Sequence, residues 1–463
     1  MPETQPNVLL ILTDQQRADT LGFLGQTPCK TPHLDRLAAE GLCFENTITP
    51  SPLCTPSRAA LFTGHYPSER AMMSNDGSAL QRCDMLDHFR AGGYLVNYAG
   101  KWHLGEDNIA QFTDRHAGDS TASYSQWCLD QGLNDGWMFN DPATRSARPP
   151  HMSTPKVHKQ DLPVDKTNEA YITDFAIDML RSRDPDRPFF QVCSLNGPHL
   201  PFMIPEPWFS MYDPADVPAP ENFGPQPGEH PVHTSSYYRD LFHDQGDDFA
   251  DWRAAYAVYW GFVSMVDHFI GQLLQALQDE GLMEETIIVF TSDHGENLGA
   301  HGLWQKMVPF EESLRVPLLI RLPGGGPTGR RDNPASLIDV APTLAAASGL
   351  TGGTWRGRDL LSPDAAQEPD RFAMHTPLGD WMKVTDWRMI QRGTLKYIWH
   401  RGQGEELFDL AKDPGECHNM ATNPDAAVHL QDLRAGLTDF LRSTQDPLLS
   451  DWITDLERLE CAN

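Results

Sequence analysis

The chain has 463 residues, of which 40% are hydrophobic and 22% charged, which is an ordinary composition for a globular protein. Its formal net charge of -28 argues against nucleic acid as a partner, because nucleic-acid binders draw much of their affinity from Lys and Arg on phosphates. The eight cysteines are widely spaced and form no Cys-x-x-Cys pair, which argues against a zinc framework or a dense disulfide scaffold.

No segment of the sequence has the features of a signal peptide or a membrane span. Residues 1–7 are polar and lack a cationic, apolar signal region. The most apolar stretch, 256–277, is interrupted by Asp267, His268 and Gln272. We therefore expect a protein without a membrane partner, located in the cytoplasm.

Four short apolar runs predict the strands of a mostly parallel sheet, because continuous runs of this length suit strands that are buried on both faces. They lie at residues 8–12, 94–99, 189–193 and 286–290. Polar residues follow each run, at the edge where open α/β sheets place their ligands.

Helices are predicted between these strands. Residues 34–40 read as a helix that ends at Gly41. Residues 256–277 have the apolar spacing of an amphipathic helix, whose aromatic residues we interpret as core packing. Two regions rich in Pro, His, Asp and Gly, 144–166 and 205–251, are predicted to be long surface loops that shape substrate access.

The remaining pattern predicts a second, smaller unit. The elements expected beyond residue 323 are a Gly/Pro-rich break at 324–328, a short helix at 335–348, strand-like alternation at 382–399 and a final helix at 426–444. The fold class is therefore α/β, with a large, mostly parallel sheet flanked by helices in a catalytic domain at 1–354. A C-terminal α+β subdomain at 355–463 would hold a small antiparallel sheet and the terminal helix.

Candidate metal ligands follow two of the predicted strands. Asp14 and Gln15 follow the first, and Asp293 and His294 follow a later one. If the two strands are neighbours, three oxygen ligands and one imidazole come together, a set that favours Ca²⁺, Mg²⁺ or Mn²⁺. The imidazole moves the preference toward Mn²⁺. In the alternative interpretation, Asp14 only caps the helix that follows it.

Cys54 begins the sequence Cys-Thr-Pro-Ser-Arg, which is followed by Ala-Ala-Leu-Phe-Thr-Gly at 59–64. This pattern resembles the signature of the type I sulfatase family, within the alkaline-phosphatase-like superfamily. In that family a separate maturation enzyme oxidises the cysteine to formylglycine, and the Pro and Arg of the motif belong to the recognition signal. The resemblance implies a sulfate ester as substrate, one divalent ion (Ca²⁺ or Mn²⁺) as cofactor and a formylglycine-generating enzyme as partner.

Further family landmarks occur in family order and cover nearly the whole chain. They are NVLLILTDQQR at 7–17, GKWHLG at 100–105, TSDHGENLGAHG at 291–302, Lys306, and ELFDLAKDPGECHN at 406–419. The family often has Asn where this chain has His294, and a second Asp where it has Gln15. These departures lower the negative charge of the ligand set and leave the identity of the metal ion open.

The resemblance also implies a mechanism. The aldehyde at position 54 hydrates to a geminal diol, one hydroxyl attacks sulfur, and the alcohol leaves. The second hydroxyl then loses its proton, the aldehyde re-forms and sulfate is expelled. Arg58 is expected to hold the diol, Lys101 to touch diol and sulfate, and His103 to act as the base of the second step. His199 and Lys306 match the pair that assists the leaving group.

Three further expectations concern side chains around this centre. Lys101 and His103 lie two residues apart, so on an extended segment they would face the same way. Asn75 matches a polar substrate contact of choline-sulfatase-like and phosphonate-hydrolase-like branches, or it is only a turn residue. His301 would contact the metal ligands without binding the ion itself, or it is a surface histidine.

Other functions stay open at this point. A phosphonate monoester or phosphodiester hydrolase would use the same nucleophile, and the Asp-Gln and Asp-His ligand pairs resemble that branch. Lys101 and His103 favour a sulfatase, because phosphonate hydrolases typically carry Tyr and Thr there. A silent metal-binding protein and a hydrolase that uses the Cys54 thiolate directly fit the pattern less well.

The sequence does not distinguish aryl, alkyl, choline and sugar sulfates. Trp102, Trp127 and Trp137 would either line an aromatic pocket, which could meet a quaternary ammonium, or belong to the core. A homo-oligomer is compatible with the sequence, which fixes no subunit number.

Overall fold

The computed structural model describes residues 5–105, 108–118, 121–133, 157–225, 242–363, 369–377 and 385–461. Trp137, residues 144–156 of one expected loop, 226–241 of the other and 382–384 of the strand-like stretch lie outside the described residues.

The strands form one large sheet, one small sheet and two short pairs. In chain order they are β1 (Asn7–Thr13), β2 (Leu42–Phe44), β3 (Thr47–Ile48), β4 (Leu95–Gly100), β5 (Arg115–Ala117), β6 (His158–Lys159), β7 (Phe189–Ser194), β8 (Met203–Ile204), β9 (Thr286–Ser292), β10 (Leu318–Arg321), β11 (Gly329–Arg331), β12 (Ala335–Ser336), β13 (Arg371–His375), β14 (Trp387–Arg392), β15 (Leu395–His400) and β16 (Gly404–Asp409).

The α-helices lie on both faces of the large sheet and against the small one. They are α1 (Pro32–Ala39), α2 (Cys54–Thr63), α3 (Asp84–Ala91), α4 (Thr121–Asp130), α5 (Asn168–Arg181), α6 (Phe249–Asp279), α7 (Glu311–Leu314), α8 (Val340–Ala347), α9 (Ala427–Ser443) and α10 (Leu449–Cys461). None of the described helices is both long enough and apolar enough to cross a membrane.

The large sheet has eight strands in the order β11-β2-β10-β9-β1-β7-β4-β5. All four predicted strands lie together in it, as β9, β1, β7 and β4, and they run parallel. Alternate residues of β1 enter opposite cores, because successive side chains of a strand point to opposite faces. Leu9 and Ile11 pack toward the side of α1, α5 and α6, and Val8 and Leu10 pack toward the side of α2, α3 and α8. The predicted α/β class is confirmed.

The helix α6 is longer than its predicted 256–277. It begins after Asp248, whose carboxylate accepts the N–H of Ala250, a standard N-terminal cap that ends the expected loop three residues early. The predicted helix at 335–348 starts differently. Its first two residues form β12, which pairs with β3, and the α-helix α8 begins only at Val340.

The C-terminal part contains an antiparallel sheet, β13-β14-β15-β16, that is separate from the large sheet. The strand-like stretch at 382–399 is in its described part the hairpin β14–β15, and the predicted final helix is α9. A further helix, α10, was not predicted. Trp387 Nε1 donates to the carbonyl oxygen of Met307 at 3.0 Å, so the small sheet touches the large domain directly. The boundary at residues 354 and 355 stays a prediction.

Candidate active site

The four central strands bring the predicted site residues to one edge of the large sheet. Thr13 of β1 pairs with Ser292 of β9, so Asp14 and Asp293 leave the sheet side by side. On the other side of β1, the register pairs Leu12 with Ser194 of β7. The segments after β7 and β4 carry His199 and Lys101 to the same edge, as expected from parallel strands.

The predicted metal ligands are close enough to share one ion. Ligand atoms of Asp14, Asp293, His294 and Cys54 all lie within 4.8 Å of one another, and all four residues are buried. His294 Nε2 lies 3.7 Å from Asp14 Oδ1 and 3.6 Å from Asp293 Oδ1. Its Nδ1 lies 3.0 Å from the carbonyl oxygen of Gly295, which can only accept, so the proton belongs on Nδ1 and Nε2 has a lone pair for a metal.

Gln15 is held in place from three sides. Its Oε1 accepts from Lys306 Nζ at 2.6 Å, its Nε2 donates to Glu296, and its carbonyl oxygen accepts from Tyr259 Oη at 2.7 Å. The residue adopts a left-handed backbone with φ of 67°, which is uncommon outside glycine and turns its side chain into the site. Two carboxylates and one imidazole therefore offer ligand atoms to one divalent ion, and Gln15 Oε1, which accepts from Lys306 Nζ, is the adjoining amide oxygen.

Glu296 is a site residue that sequence reasoning missed. Its second oxygen, Oε1, accepts the backbone N–H groups of Leu298 at 3.0 Å and Gln305 at 2.7 Å. The carboxylate thus orients Gln15 and fixes the loop that carries Lys306. The signal was present, since Glu296 lies in the motif at 291–302, but nothing in the spacing distinguishes a ligand from the group that holds it.

Cys54 is the first residue of α2 and is only 1% exposed. Its Sγ lies 3.3 Å from His294 Nε2, 3.5 Å from Lys306 Nζ and 3.8 Å from Lys101 Nζ. Burial acts to raise the pKa of the thiol, but Lys101, Lys306 and His294 outweigh it and hold that pKa well below its ordinary value. Position 54 is therefore built to hold negative charge.

Arg58 lies one helical turn beyond Cys54 and is fully buried. Its Nε donates to Asp293 Oδ2 at 2.9 Å and its Nη2 to Asp14 Oδ2 at 3.2 Å. Its Nη1 donates to Ser194 Oγ at 2.8 Å. The guanidinium thus neutralises and spaces the two carboxylates, a role that its proximity to Cys54 in the sequence did not reveal.

Lys101 and His103 both reach the site, but not by the geometry we expected. Lys101 forms an ion pair with Asp14. The segment is not extended, because Gly100 and His103 have φ angles of 96° and 58°, so the argument from alternating directions is wrong. His103 is exposed, its side chain acts to lower the pKa of the Cys54 thiol, and its carbonyl oxygen accepts from Thr55 Oγ1 at 2.9 Å.

His199 lies close to Asp14, in the segment that follows β7. Its Nε2 is 4.0 Å from Asp14 Oδ1, and its Nδ1 is 2.7 Å from the carbonyl oxygen of Leu200. Burial and the charge of Lys306 lower the pKa of His199 to about 4. A cavity of about 120 Å³, which Lys101 also lines, adjoins the imidazole.

The two remaining candidates differ in position. Asn75 Oδ1 accepts the N–H of Thr55 at 3.0 Å, so this side chain lies at the start of α2 beside Cys54. His301 stacks on Phe310 with ring centroids 3.7 Å apart, and its Nε2 lies 4.0 Å from Glu312 Oε2. That places His301 in a separate cluster with Glu312 and Glu416. Of the three tryptophans, Trp102 is buried in the core against Phe62.

Chemically, this arrangement can hold a divalent ion and an anion together. The carboxylates of Asp14 and Asp293 attract the ion, and the ammonium groups of Lys101 and Lys306 flank position 54, where an anionic oxygen would otherwise be repelled. This supplies the local cations that an acidic chain needs in order to bind an anionic substrate.

Comparison with known proteins gives consistent matches over the chain. The family described as Sulfatase matches residues 6–350, and the family described as N-sulphoglucosamine sulphohydrolase, C-terminal, matches residues 299–443. An ulvan-active sulfatase of Formosa agariphila is 30% identical over 96% of this chain and 83% of its own length. A choline-sulfatase of Rhizobium meliloti is 28% identical over 100% of this chain and 89% of its own. The crystal structure of a phosphonate monoester hydrolase of Agrobacterium radiobacter superposes with a TM-score of 0.75 at 26% identity, covering 95% of both chains.

Proposed function

The chain belongs to the sulfatase family and is a sulfuric ester hydrolase, and we propose that its nucleophile is the hydrate of a formylglycine made from Cys54. The observation that carries this proposal is the convergence on Cys54 Sγ of Lys101, Lys306 and His294, beside the Asp14 and Asp293 carboxylates. An aldehyde hydrate presents two hydroxyls at that point, one for each half of the reaction.

A single divalent ion, Ca²⁺ or Mn²⁺, is the proposed cofactor, held by Asp14, Gln15, Asp293 and His294. When bound, it supplies a Lewis acid that lowers the pKa of a hydroxyl at position 54 and makes it a competent nucleophile at neutral pH. Arg58 contributes by keeping the two carboxylates apart and charged.

In the first half of the reaction, a hydroxyl oxygen of residue 54 forms a bond to sulfur, and the bond from sulfur to the alcohol oxygen breaks. Lys101 and Lys306 stabilise the charge on the sulfuryl oxygens. His199 lies next to a cavity that can take the alcohol, and we assign to His199 and Lys306 the assistance that the departing oxygen requires, with the proton of His199 taken up when the anionic substrate is bound.

In the second half, His103 takes the proton of the remaining hydroxyl. Its effect on the pKa of Cys54 and its exposure support this role, because a group close to residue 54 that also meets water can pass the proton on to solvent. The carbon–oxygen bond to the sulfate group then breaks, the C=O bond re-forms and sulfate leaves. We retain Asn75 as a substrate contact, since it lies beside the start of α2.

The substrate class is aryl or alkyl sulfate monoesters, with choline sulfate among them given the choline-sulfatase of Rhizobium meliloti. Phosphonate monoester or phosphodiester hydrolysis is the second candidate, supported by the likeness to the Agrobacterium radiobacter enzyme. A formylglycine-generating enzyme is the expected partner. A homo-oligomer and a cytoplasmic location stay predictions.

The test is a paired rate comparison on one preparation, co-expressed with a formylglycine-generating enzyme. We expect kcat/KM for 4-nitrophenyl sulfate to exceed that for a 4-nitrophenyl phosphonate monoester, because Lys101 and His103 match the sulfatase pattern. Mass spectrometry of the peptide with residue 54 reports the aldehyde. Cys54→Ala should fold and lose turnover of both substrates, and a faster phosphonate reaction would transfer the proposal to the second candidate.

A further inference from the structure

A cavity of about 390 Å³ lies between the small sheet and the large one, and we call it the inter-sheet cavity. It is lined by Asn46, which follows β2, and by Arg315, which precedes β10. Because β10 runs antiparallel to β9, its start lies at the edge where β9 ends. The inter-sheet cavity therefore opens on the same edge of the large sheet as Asp293, but it is formed by other residues.

Arg371, the first residue of β13, is the main cation of the inter-sheet cavity. It is only 6% exposed, and among the described residues its guanidinium has one hydrogen bond, to the carbonyl oxygen of Asn46, and no ion pair. Burial lowers the pKa of Arg371 to about 10, and Glu311 and Asp339 oppose this only in part. A buried guanidinium without a carboxylate partner is costly, so its remaining donors need an acceptor.

Gln391 is a second buried polar residue in the lining of the inter-sheet cavity. It is directly opposite Arg371 in the β13–β14 pairing, and cross-strand partners share one face of a sheet. It is 4% exposed and lines the inter-sheet cavity, and its buried Oε1 has no hydrogen-bond partner within the part of the chain that the structure describes. Oε1 only accepts and cannot bind an anion itself, but half a turn of the terminal amide puts the Nε2 donor in its place, where it can donate to an oxyanion.

The charges around the inter-sheet cavity favour an anion. Arg315 is a second guanidinium, whose Nη2 donates to Gln26 Oε1 at 3.2 Å. Of the two acids in the lining, Glu311 is already engaged, because Lys396 Nζ lies 3.0 Å from its Oε1, and Asp332 is exposed to solvent. The two guanidinium groups therefore exceed the free acidic charge.

We propose that the inter-sheet cavity is a second anion site, which binds a tetrahedral oxyanion, sulfate or phosphate, through Arg371 and Arg315 with the amide of Gln391. The planar guanidinium fork matches two oxygens of such an ion. The oxyanion is either a free ion or a second sulfate group on a remote part of the substrate, and the latter source rests on the proposed sulfatase function.

The first experiment is equilibrium dialysis of the full chain against radiolabelled inorganic sulfate. Arg371→Gln should bind one sulfate fewer per chain, or bind that sulfate at least about tenfold more weakly. Arg330→Gln is the matched control, since Arg330 is 57% exposed and pairs with Glu45. Unchanged sulfate binding in folded Arg371→Gln would overturn the proposal.

A second variant covers the case in which Arg371→Gln does not fold. Gln391→Glu places a carboxylate opposite Arg371, so it should keep or raise the melting temperature while it excludes sulfate from the inter-sheet cavity. Full sulfate binding by Gln391→Glu would overturn the proposal equally.

Kinetic measurements distinguish the two possible sources of the oxyanion. A lower ratio of kcat/KM for disulfated over monosulfated substrates in Arg371→Gln supports a substrate group. Lost sulfate binding with an unchanged ratio supports a free ion. Because dialysis needs no turnover, failure of the proposed function leaves the binding result intact.

Discussion

At the scale of single residues, the site is organised by groups that contact the proposed metal ligands. Glu296 holds the Gln15 amide with one oxygen and two backbone N–H groups with the other. Arg58 spaces the two carboxylates. Such outer contacts set the orientation of the groups that bind the metal.

We predict that Glu296→Gln weakens metal binding and lowers kcat/KM by about 10- to 100-fold. The new amide can still accept the N–H groups of Leu298 and Gln305, but it presents a donor to the Gln15 Nε2 donor. Gln15 is then expected to turn its oxygen away from the ion. Metal titration and kcat/KM are the measurements. Glu296→Ala should show the same metal loss with lower stability, and full affinity in both variants would contradict the orienting role.

We predict that His199→Ala reduces turnover of alkyl sulfates by about 10²- to 10⁴-fold and affects 4-nitrophenyl sulfate much less. A nitrophenolate leaves without a proton, whereas an alkoxide does not. Rates for a series of esters with increasing leaving-group pKa measure this. Losses of equal size across the series would argue against protonation by His199.

At the scale of elements, Asp267 couples two helices. It lies on α6, and its carboxylate accepts the N–H groups of His33 at 3.1 Å and Leu34 at 2.8 Å at the start of α1. Burial raises the pKa of Asp267 to about 7. Below about pH 7, Asp267 is therefore mostly protonated while its carboxyl oxygens accept the two N–H groups.

This carboxyl makes stability depend on pH. Its folded pKa lies above its unfolded pKa of about 4, so between about pH 4 and 7 the unfolded chain loses its proton first, and the free energy of unfolding falls. Asp267→Asn imitates the neutral acid and should remove this fall, which is about 4 kcal/mol at most. Urea unfolding of both proteins at about pH 4 and pH 8 measures it. If the free energies of unfolding of the wild type and of Asp267→Asn differed by the same amount at both pH values, the assignment of this fall to Asp267 would be contradicted.

The sequence predicted the elements that carry strong local patterns. The four central strands and the helix α6 are of this kind, because apolar runs and helical spacing report burial directly. The antiparallel strand β10 was not predicted, since its four residues say nothing about direction. The partners of Arg58 were missed for a related reason: they depend on the order of strands in the sheet, which no single segment encodes.

At the scale of the whole molecule, the small sheet supports the active site through a contact at Trp387. Trp387 Nε1 donates to the carbonyl oxygen of Met307, and the N–H of Met307 donates to the carbonyl oxygen of Pro52 at 3.0 Å. The residue next to Lys306 is thus tied to the small sheet on one side and to the segment before Cys54 on the other.

We predict that Trp387→Phe lowers kcat because it frees this segment and misplaces Lys306. The matched control is Trp399→Phe, which loses a similar hydrogen bond, at 3.1 Å to Asp455, within the small sheet and its helices. Each variant should cost about 1 kcal/mol in the free energy of unfolding. Only Trp387→Phe should lower kcat, and equal kcat in the two variants would contradict the coupling.

The burial of Cys54 has a consequence for how the active protein is made. A side chain that lies at the start of a buried helix, with 1% of its surface open, cannot enter the active centre of another enzyme. If residue 54 is converted to formylglycine, as proposed, the conversion has to come before folding, while the chain is still being synthesised or is held open. On that proposal, the yield of active enzyme depends on the rate of oxidation relative to the rate of folding, and we expect maturation enzyme added after folding to leave unconverted molecules inactive.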